Sequence, residues 1–141
     1  LPFELETHGL MPALQALAAR IAAAYRIRCD FVRENEFSII DNKVALNLFR
    51  IAQEAVNNAI RHGSAQQVVI SLAAVGEILR LSICDDGKGF SGVNTERGTA
   101  TGMGIKIMHY RARQIAAKLT FLLRSEGGTE VRLEMRLIQE A

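Results

Sequence analysis

From Leu10 to Tyr25 the apolar positions Leu10, Leu14, Leu17, Ile21 and Ala24 recur at helical spacing in an alanine-rich stretch, which predicts a helix. Pro12 falls in its first turn, where a missing N–H costs nothing. From Ile27 to Val32 the pattern changes to alternation, with Ile27, Cys29 and Phe31 set against Arg28 and Asp30, and predicts a strand. Helical spacing then returns. Val44, Leu48, Ile51, Ala52, Ala55 and Ala59 line one face of a helix that Asp41 can cap, that runs to about His62, and that Gly63-Ser64 ends.

Two strands follow, Gln67 to Ala73 and Ile78 to Cys84, and the short connection Val75-Gly76-Glu77 argues for a hairpin. Asp85 to Thr101 has no period and is dense in Gly, Ser, Thr, Asn and Asp; a loop this long inside a domain is functional or disordered. Gly102 to Ala117 reads as a helix entered through a glycine pair, and strands at Leu119 to Arg124 and Glu130 to Leu137 flank Ser125-Glu126-Gly127-Gly128-Thr129. No segment repeats. Hairpins beside amphipathic helices predict an α/β sandwich, with one mixed or antiparallel sheet and helices on one face.

Composition narrows the class. At 141 residues and 49% hydrophobic content, residues 1–141 fit a single domain with one core. Lys and Arg number 17 against 15 Asp and Glu, and a net charge of +2 is too balanced for a binder of nucleic acid or of a membrane surface. Cys29 and Cys84 make no disulfide framework and no zinc spacing; both read as small core hydrophobes in a reducing compartment. Arg20 interrupts the longest apolar run, so none spans a bilayer. Leu1-Pro2-Phe3-Glu4 lacks the basic region of a signal peptide and lacks a Met, so the expectation is a piece excised from a longer protein. Collagen, coiled coil, disordered tail and secreted knottin are excluded.

Three places carry more polar and glycine content than a core needs. In the helix, Glu54, Asn58, Arg61 and His62 can project from one side. A solvated face is the bland alternative, but Asn57-Asn58 sits mid-helix, where Asn is a poor residue. Carboxylate, amide oxygen, guanidinium and imidazole also suit a magnesium-bound polyphosphate, because hard oxygens hold Mg²⁺ and cations meet phosphate. At a strand end, Asp85-Asp86-Gly87-Lys88-Gly89-Phe90 lets the backbone approach a ligand closely, and a carboxylate there can accept from an exocyclic amine; an ordinary Asp-Gly turn is the alternative. Gly102-Met103-Gly104-Ile105 opens a helix whose N-terminal N–H groups favour an anion. A lone Gly-x-Gly is weak, and neither the Rossmann fingerprint nor the Walker A pattern is present.

In combination the signals are specific. Glu-x-x-x-Asn on a helix, Asp-x-Gly-x-Gly after a strand, Gly-x-Gly opening a helix and Gly-Gly-Thr before a strand resemble, in that order, the GHKL ATP-binding domain. Sensor histidine kinases, type II topoisomerases, a mismatch-repair ATPase and a chaperone ATPase share it. The resemblance covers nearly the whole chain. Leu48-Phe49-Arg50-Ile51-Ala52-Gln53-Glu54-Ala55 with Asn58 and His62, Gly9-Leu10-Met11-Pro12-Ala13-Leu14, and Ile107-Met108-His109-Tyr110-Arg111-Ala112 are similar to the short-lid subfamily of sensor kinases that partners LuxR-type response regulators.

That resemblance implies an α+β fold of the GHKL (Bergerat) type, a two-layer sandwich with a mixed sheet packed on helices from one face. It implies ATP and Mg²⁺ as ligands. Asn58 would coordinate the metal, Arg61 would contact phosphate, and His62 would lie near the ribose. Glu54, acidic where related ATPases activate water, would position metal or water, which makes Glu54, Asn58 and Arg61 the catalytic set. Asp85 would bind the adenine amino group, with Asp86 a turn residue facing solvent. Gly87 and Gly89 would shape the adenine pocket, Gly102 and Gly104 would set the lid and helix against the phosphates, and Thr129 would support the adenine side through its hydroxyl. Residues 91–101 would be the ATP lid.

None of the three histidines fits a phosphoacceptor: His62 lies in the nucleotide site, His109 in the helix after Gly104, and His8 at a helix start. The chain is therefore expected to be the catalytic and ATP-binding half of a cytoplasmic kinase, or of the cytoplasmic part of a membrane-bound sensor. It would donate to a histidine-bearing dimerisation domain of the same protein, upstream of a LuxR-type regulator. No nucleic acid and no membrane contact by this segment are expected. The alternatives are a nucleotide-dependent protein-binding module and an anti-sigma-type serine kinase on the same fold.

Overall fold

The computed structural model describes residues 2–39, 41–89 and 102–137. Two helices, α1 (Phe3–His8) and α2 (Leu10–Tyr25), lead to strand β1 (Arg28–Arg33) and helix α3 (Asn42–Arg61). The hairpin β2 (Gln67–Val75) and β3 (Ile78–Asp85) follows, then α4 (Met103–Gln114) and the pair β4 (Lys118–Leu123) and β5 (Thr129–Arg136). The proposed lid, residues 91–101, lies outside the described residues.

Local chemistry sets the helix ends. The Asp41 carboxylate accepts from the backbone N–H of Lys43 at 2.8 Å and of Val44 at 3.2 Å, which satisfies donors that α3 leaves free. At the other end the N–H groups of His62 and Gly63 both return to the Asn58 carbonyl. α2 starts after Gly9, whose φ of +87° favours glycine, and stops at Arg26 in the left-handed region. α1 was not foreshadowed by the periodicity: six residues with one buried side chain, Leu5, are too few to show a repeat.

The sheet order is β1-β2-β3-β5-β4. β1 runs parallel to β2, with Arg28 opposite Gln67, and every other neighbouring pair is antiparallel, so the sheet is mixed as expected. The parallel pair needs a crossover, and α3 supplies it. Alternation then sorts the faces. Val68, Ile70, Leu72, Leu79, Leu81, Ile83, Phe121, Val131 and Leu133 are buried together with Leu14 and Leu17 of α2 and Leu48, Phe49 and Ile51 of α3. Ala52, Ala55 and Ala59 on α3 and Ala13 and Ala18 on α2 are buried small residues that let these helices pack closely. Truncating Leu48, fully buried here, would cost about 2–5 kcal/mol. The opposite face carries paired charges, Arg80 with Glu134 at 3.0 Å and Arg132 with Glu130 at 2.8 Å.

This layering brings the C-terminal end of α3, the end of β3, the start of β5 and the start of α4 to one end of the sheet. Among the described residues no helix is long and apolar enough to cross a membrane.

Candidate functional site

Asp85 is the last residue of β3 and is only 3% exposed. Its Oδ1 accepts from the Gly87 N–H at 2.8 Å. Burial pushes its pKa above the usual carboxylate value, against the opposing pull of the Gly87 and Thr129 N–H groups and the Arg124 guanidinium. Asp86, its neighbour, has the opposite fate. It is exposed, and its Oδ1 accepts from the N–H groups of Gln66 and Gln67, each at 2.9 Å. These bonds hold its pKa below the ordinary value. Asp86 therefore faces solvent as expected and also braces the start of β2.

The glycines of the turn are there because backbone approaches backbone. A Cβ on Gly87 would run into the Gly63 carbonyl, which itself accepts from the Lys88 N–H at 2.7 Å. The residue that ends α3 is thus packed against the Asp-x-Gly-x-Gly turn, a contact that only the fold reveals. Gly89, at φ +81°, would place a Cβ 3.1 Å from the Thr129 hydroxyl and 3.5 Å from Leu123 Cδ2. Gly128, at φ +90°, would drive a Cβ into the Asp85 carbonyl.

Thr129 is fully buried, and its hydroxyl oxygen has no hydrogen-bond partner among the described residues. A buried hydroxyl left unpaired costs about 1–3 kcal/mol, so this one stands out as a group held ready for a ligand or a water. Leu123, its cross-strand partner, is 53% exposed although its side chain is on the helix-facing side of the sheet. An exposed apolar side chain beside an orphaned hydroxyl and a buried carboxylate offers a flat polar ring both a surface and edge contacts. The spacing of motifs did not identify Leu123; the alternation of β4 was the available signal.

The helical half of the site is built differently. Asn58 is 5% exposed on α3, and Glu54, one turn earlier, is half-buried. Gly104, in the first turn of α4, lies against both. A Cβ there would collide with the Glu54 carboxylate and stand 3.2 Å from the Asn58 amide nitrogen. The structure therefore brings Glu54, Asn58 and Gly104 together. Gly102, at φ +127°, occupies the N-cap position of α4; its carbonyl accepts from the Lys106 N–H at 3.0 Å, and it offers no side-chain cap to the first N–H groups. Arg61 and His62 are exposed at the end of α3. Farther along the α3–α4 contact, buried Asn47 accepts from Arg111 Nη1 at 3.3 Å and donates to the Lys43 carbonyl at 2.8 Å.

The remaining titratable groups do not converge here. His109 packs its ring against Phe121 at 5.6 Å, and burial lowers its pKa. His8 is exposed at the end of α1. Burial pushes the Cys29 thiol up to about 11 and raises Cys84 as well, which favours the protonated thiol at both. Among the described residues no group of three or more His, Cys, Asp and Glu could hold a metal by itself.

The pattern of the family described as histidine kinase-, DNA gyrase B-, and HSP90-like ATPase matches residues 43–139. Among curated proteins, the sensor histidine kinase LiaS of Bacillus subtilis is 30% identical over 99% of this chain and 37% of its own length. The nitrate/nitrite sensor protein NarX of Escherichia coli is 29% identical over 91% of this chain and 21% of its own. The chain thus spans roughly a fifth to a little over a third of these relatives. Among solved structures, the ATP binding domain of PrrB from Mycobacterium tuberculosis superposes with a TM-score of 0.68 at 21% identity, covering 92% of this chain and 93% of that one. At that identity it speaks for the mixed-sheet α+β fold alone.

Proposed function

The chain belongs to the histidine kinase-, DNA gyrase B-, and HSP90-like ATPase family, and from that premise we propose that residues 1–141 are the phosphoryl-donor half of a protein-histidine kinase in two-component signalling. The observation that carries the proposal is the pairing of buried Asp85 with the orphaned Thr129 hydroxyl. Nothing in a structural turn calls for either, and an adenine edge would use both. Asp85 accepts from the exocyclic amine, Thr129 supports the same edge, and Gly87, Gly89 and Gly128 keep the backbone close enough to form the pocket. The name of LiaS, a sensor histidine kinase, favours a kinase over the binding-module and serine-kinase alternatives.

The helical half would handle the phosphates. The residues present fit a magnesium-bound triphosphate: Asn58 offers the amide of a buried side chain, Glu54 a neighbouring carboxylate, and α4 an N-terminus that Gly102 leaves without a side-chain cap. Magnesium would supply charge neutralisation at the phosphate oxygens. Arg61 and His62, exposed at the end of α3, would meet phosphate and ribose, and Gly102 and Gly104 would let α4 approach. In the reaction the bond from the γ-phosphorus to its bridging oxygen breaks, an imidazole nitrogen of the acceptor bonds to phosphorus, ADP leaves, and the imidazole proton passes to solvent. The chain's part is positioning and charge placement, which carries most of such catalysis.

The acceptor would be a histidine on the dimerisation domain of the same protein, with a LuxR-type response regulator downstream, in the cytoplasm where ATP is. Millimolar Mg-ATP, at about a hundredfold over Kd, should stabilise the chain by about 2.7 kcal/mol. It should label a separately supplied dimerisation domain from γ-labelled ATP and leave the isolated chain unlabelled. Absence of any thermal shift would refute nucleotide binding. Acid-labile label on the isolated chain that disappears in His8→Ala would refute the assignment as donor half only.

A further inference from the structure

We propose that Arg124 is a positioning residue for nucleotide recognition, fixing the Asp85 peptide group from the neighbouring hairpin; this rests on the reading of Asp85 as the adenine-amine acceptor. The β3–β5 ladder ends at the Cys84–Glu130 pair, one residue short of Asp85. That carbonyl points into the β4–β5 turn, since a Cβ on Gly128 would collide with it. Arg124 Nη1 donates to it at 2.7 Å, in the place of a ladder bond.

The turn that carries Arg124 is closed on itself. The Arg124 N–H donates to the Gly128 carbonyl at 3.0 Å and the Gly127 N–H donates to the Arg124 carbonyl at 3.1 Å. The second guanidinium nitrogen reaches Glu126 at 3.3 Å. Glu126 is 80% exposed, so this ion pair contributes little by itself, whereas the bond to Asp85 is partly buried.

Holding the carbonyl fixes the plane of the peptide that links Asp85 to Asp86. The same stretch of backbone sets the Gly87 N–H that Asp85 Oδ1 accepts, so the carboxylate has little freedom to turn from its pocket. Arg124 also acts through charge. Among the described residues, the charged and titratable groups that act on Asp85 are Arg124 from the end of β4, Asp86 next along the chain and Cys84 before it. Of these only Arg124 favours the ionised acid, the form that can accept from an amine without a competing proton.

Affinity for ADP should therefore fall as pH drops through the Asp85 pKa. Removing Arg124 should move that fall to higher pH.

The test is ADP titration of the whole chain from pH 8 down to the onset of acid unfolding, with wild type, Arg124→Leu, Arg124→Lys, Glu126→Ala and Asp85→Asn. Arg124→Leu is expected to raise the ADP Kd by about fivefold to tenfold at the alkaline end. Its acid limb should shift upward in pH. Arg124→Lys, which keeps the charge but offers a point donor, should restore the acid limb and only part of the affinity. Glu126→Ala should match wild type. A merely structural role would lower the melting temperature without moving the acid limb. If Arg124→Leu does not fold, Arg124→Lys still decides: wild-type affinity and a wild-type limb there would overturn the proposal, as they would in Arg124→Leu. If Asp85→Asn binds ADP as wild type does, the adenine reading itself has failed and the proposal falls with it.

Discussion

At the end of β3 Asp85 is buried and held by backbone: a Gly87 N–H on one carboxylate oxygen, the Gly128 turn against its main-chain carbonyl, and the start of β5 alongside. Along α3 the polar side chains run from buried Asn58 through half-buried Glu54 to exposed Arg61 and His62, and the backbone of α3 is occupied with its own helix bonds. The strand-end half is thus made of atoms that cannot move without moving the sheet. The helical half is made of side-chain ends that can. A rigid ring needs the former, and a flexible, highly charged chain with its metal is served by the latter. The two halves should fail in different ways.

The largest difference is expected from paired glycine substitutions. Gly128→Ala combines a positive φ with a backbone collision and should cost about 3 kcal/mol or more in urea unfolding. Gly104→Ala meets only side-chain ends within a helix that gains from Ala, so its stability change should stay under about 1 kcal/mol. Equal losses in both would erase the contrast.

Next in size is Asp85→Asn, which should weaken ADP by about 1.5–3 kcal/mol, the range for bonds to charged groups, to the same degree with and without Mg²⁺. Asn58→Ala should be smaller, about 1.5 kcal/mol, and confined to the magnesium-dependent part of the affinity. Isothermal titration of ADP in magnesium and in chelator separates them. An Asn58→Ala variant that keeps its full magnesium enhancement would remove Asn58 from the metal.

The smallest effect distinguishes the adjacent carboxylates by pH. The folded pKa of Asp86 is lowered, so its contribution to stability is fully present above the unfolded pKa and is lost as pH falls through the folded value. Asp85 is raised, so its ionisation opposes folding increasingly as pH climbs from the unfolded pKa through the folded one. Asp86→Asn should destabilise by under about 1 kcal/mol at neutral pH, because solvent screens an exposed group, and by less in acid. Asp85→Asn should show no such acid convergence. Thermal melts at pH 3 and pH 7 read both, and parallel pH behaviour of the two variants would contradict the difference in their surroundings.

The amino-acid sequence by itself determined what depends on near neighbours. The bounds of α2 matched its apolar spacing, and Asp41 and Gly63 ended α3 as cap and stop. The hairpin, and one sheet on one helical layer, mixed or antiparallel, followed from alternation and short turns, while the family resemblance implied the mixed form. Asp85, Gly87, Gly89, Asn58 and Gly104 were visible as motif positions, because a ligand-binding turn and a helix start have their own composition. Only the tertiary structure decided how the two adjacent aspartates are held, Asp85 by the Gly87 N–H and Asp86 by the N–H groups of Gln66 and Gln67. It also decided that Gly63 lies against Gly87, that the Thr129 hydroxyl has no partner among the described residues, and that Arg124 holds the Asp85 carbonyl. The physical reason is range. Caps, turns and periodicity are energies between residues a few positions apart, so they leave a signature in the local order of side chains. Burial, close backbone approach and a guanidinium that replaces a ladder bond arise between segments dozens of residues apart, after the sheet has fixed which strands are neighbours.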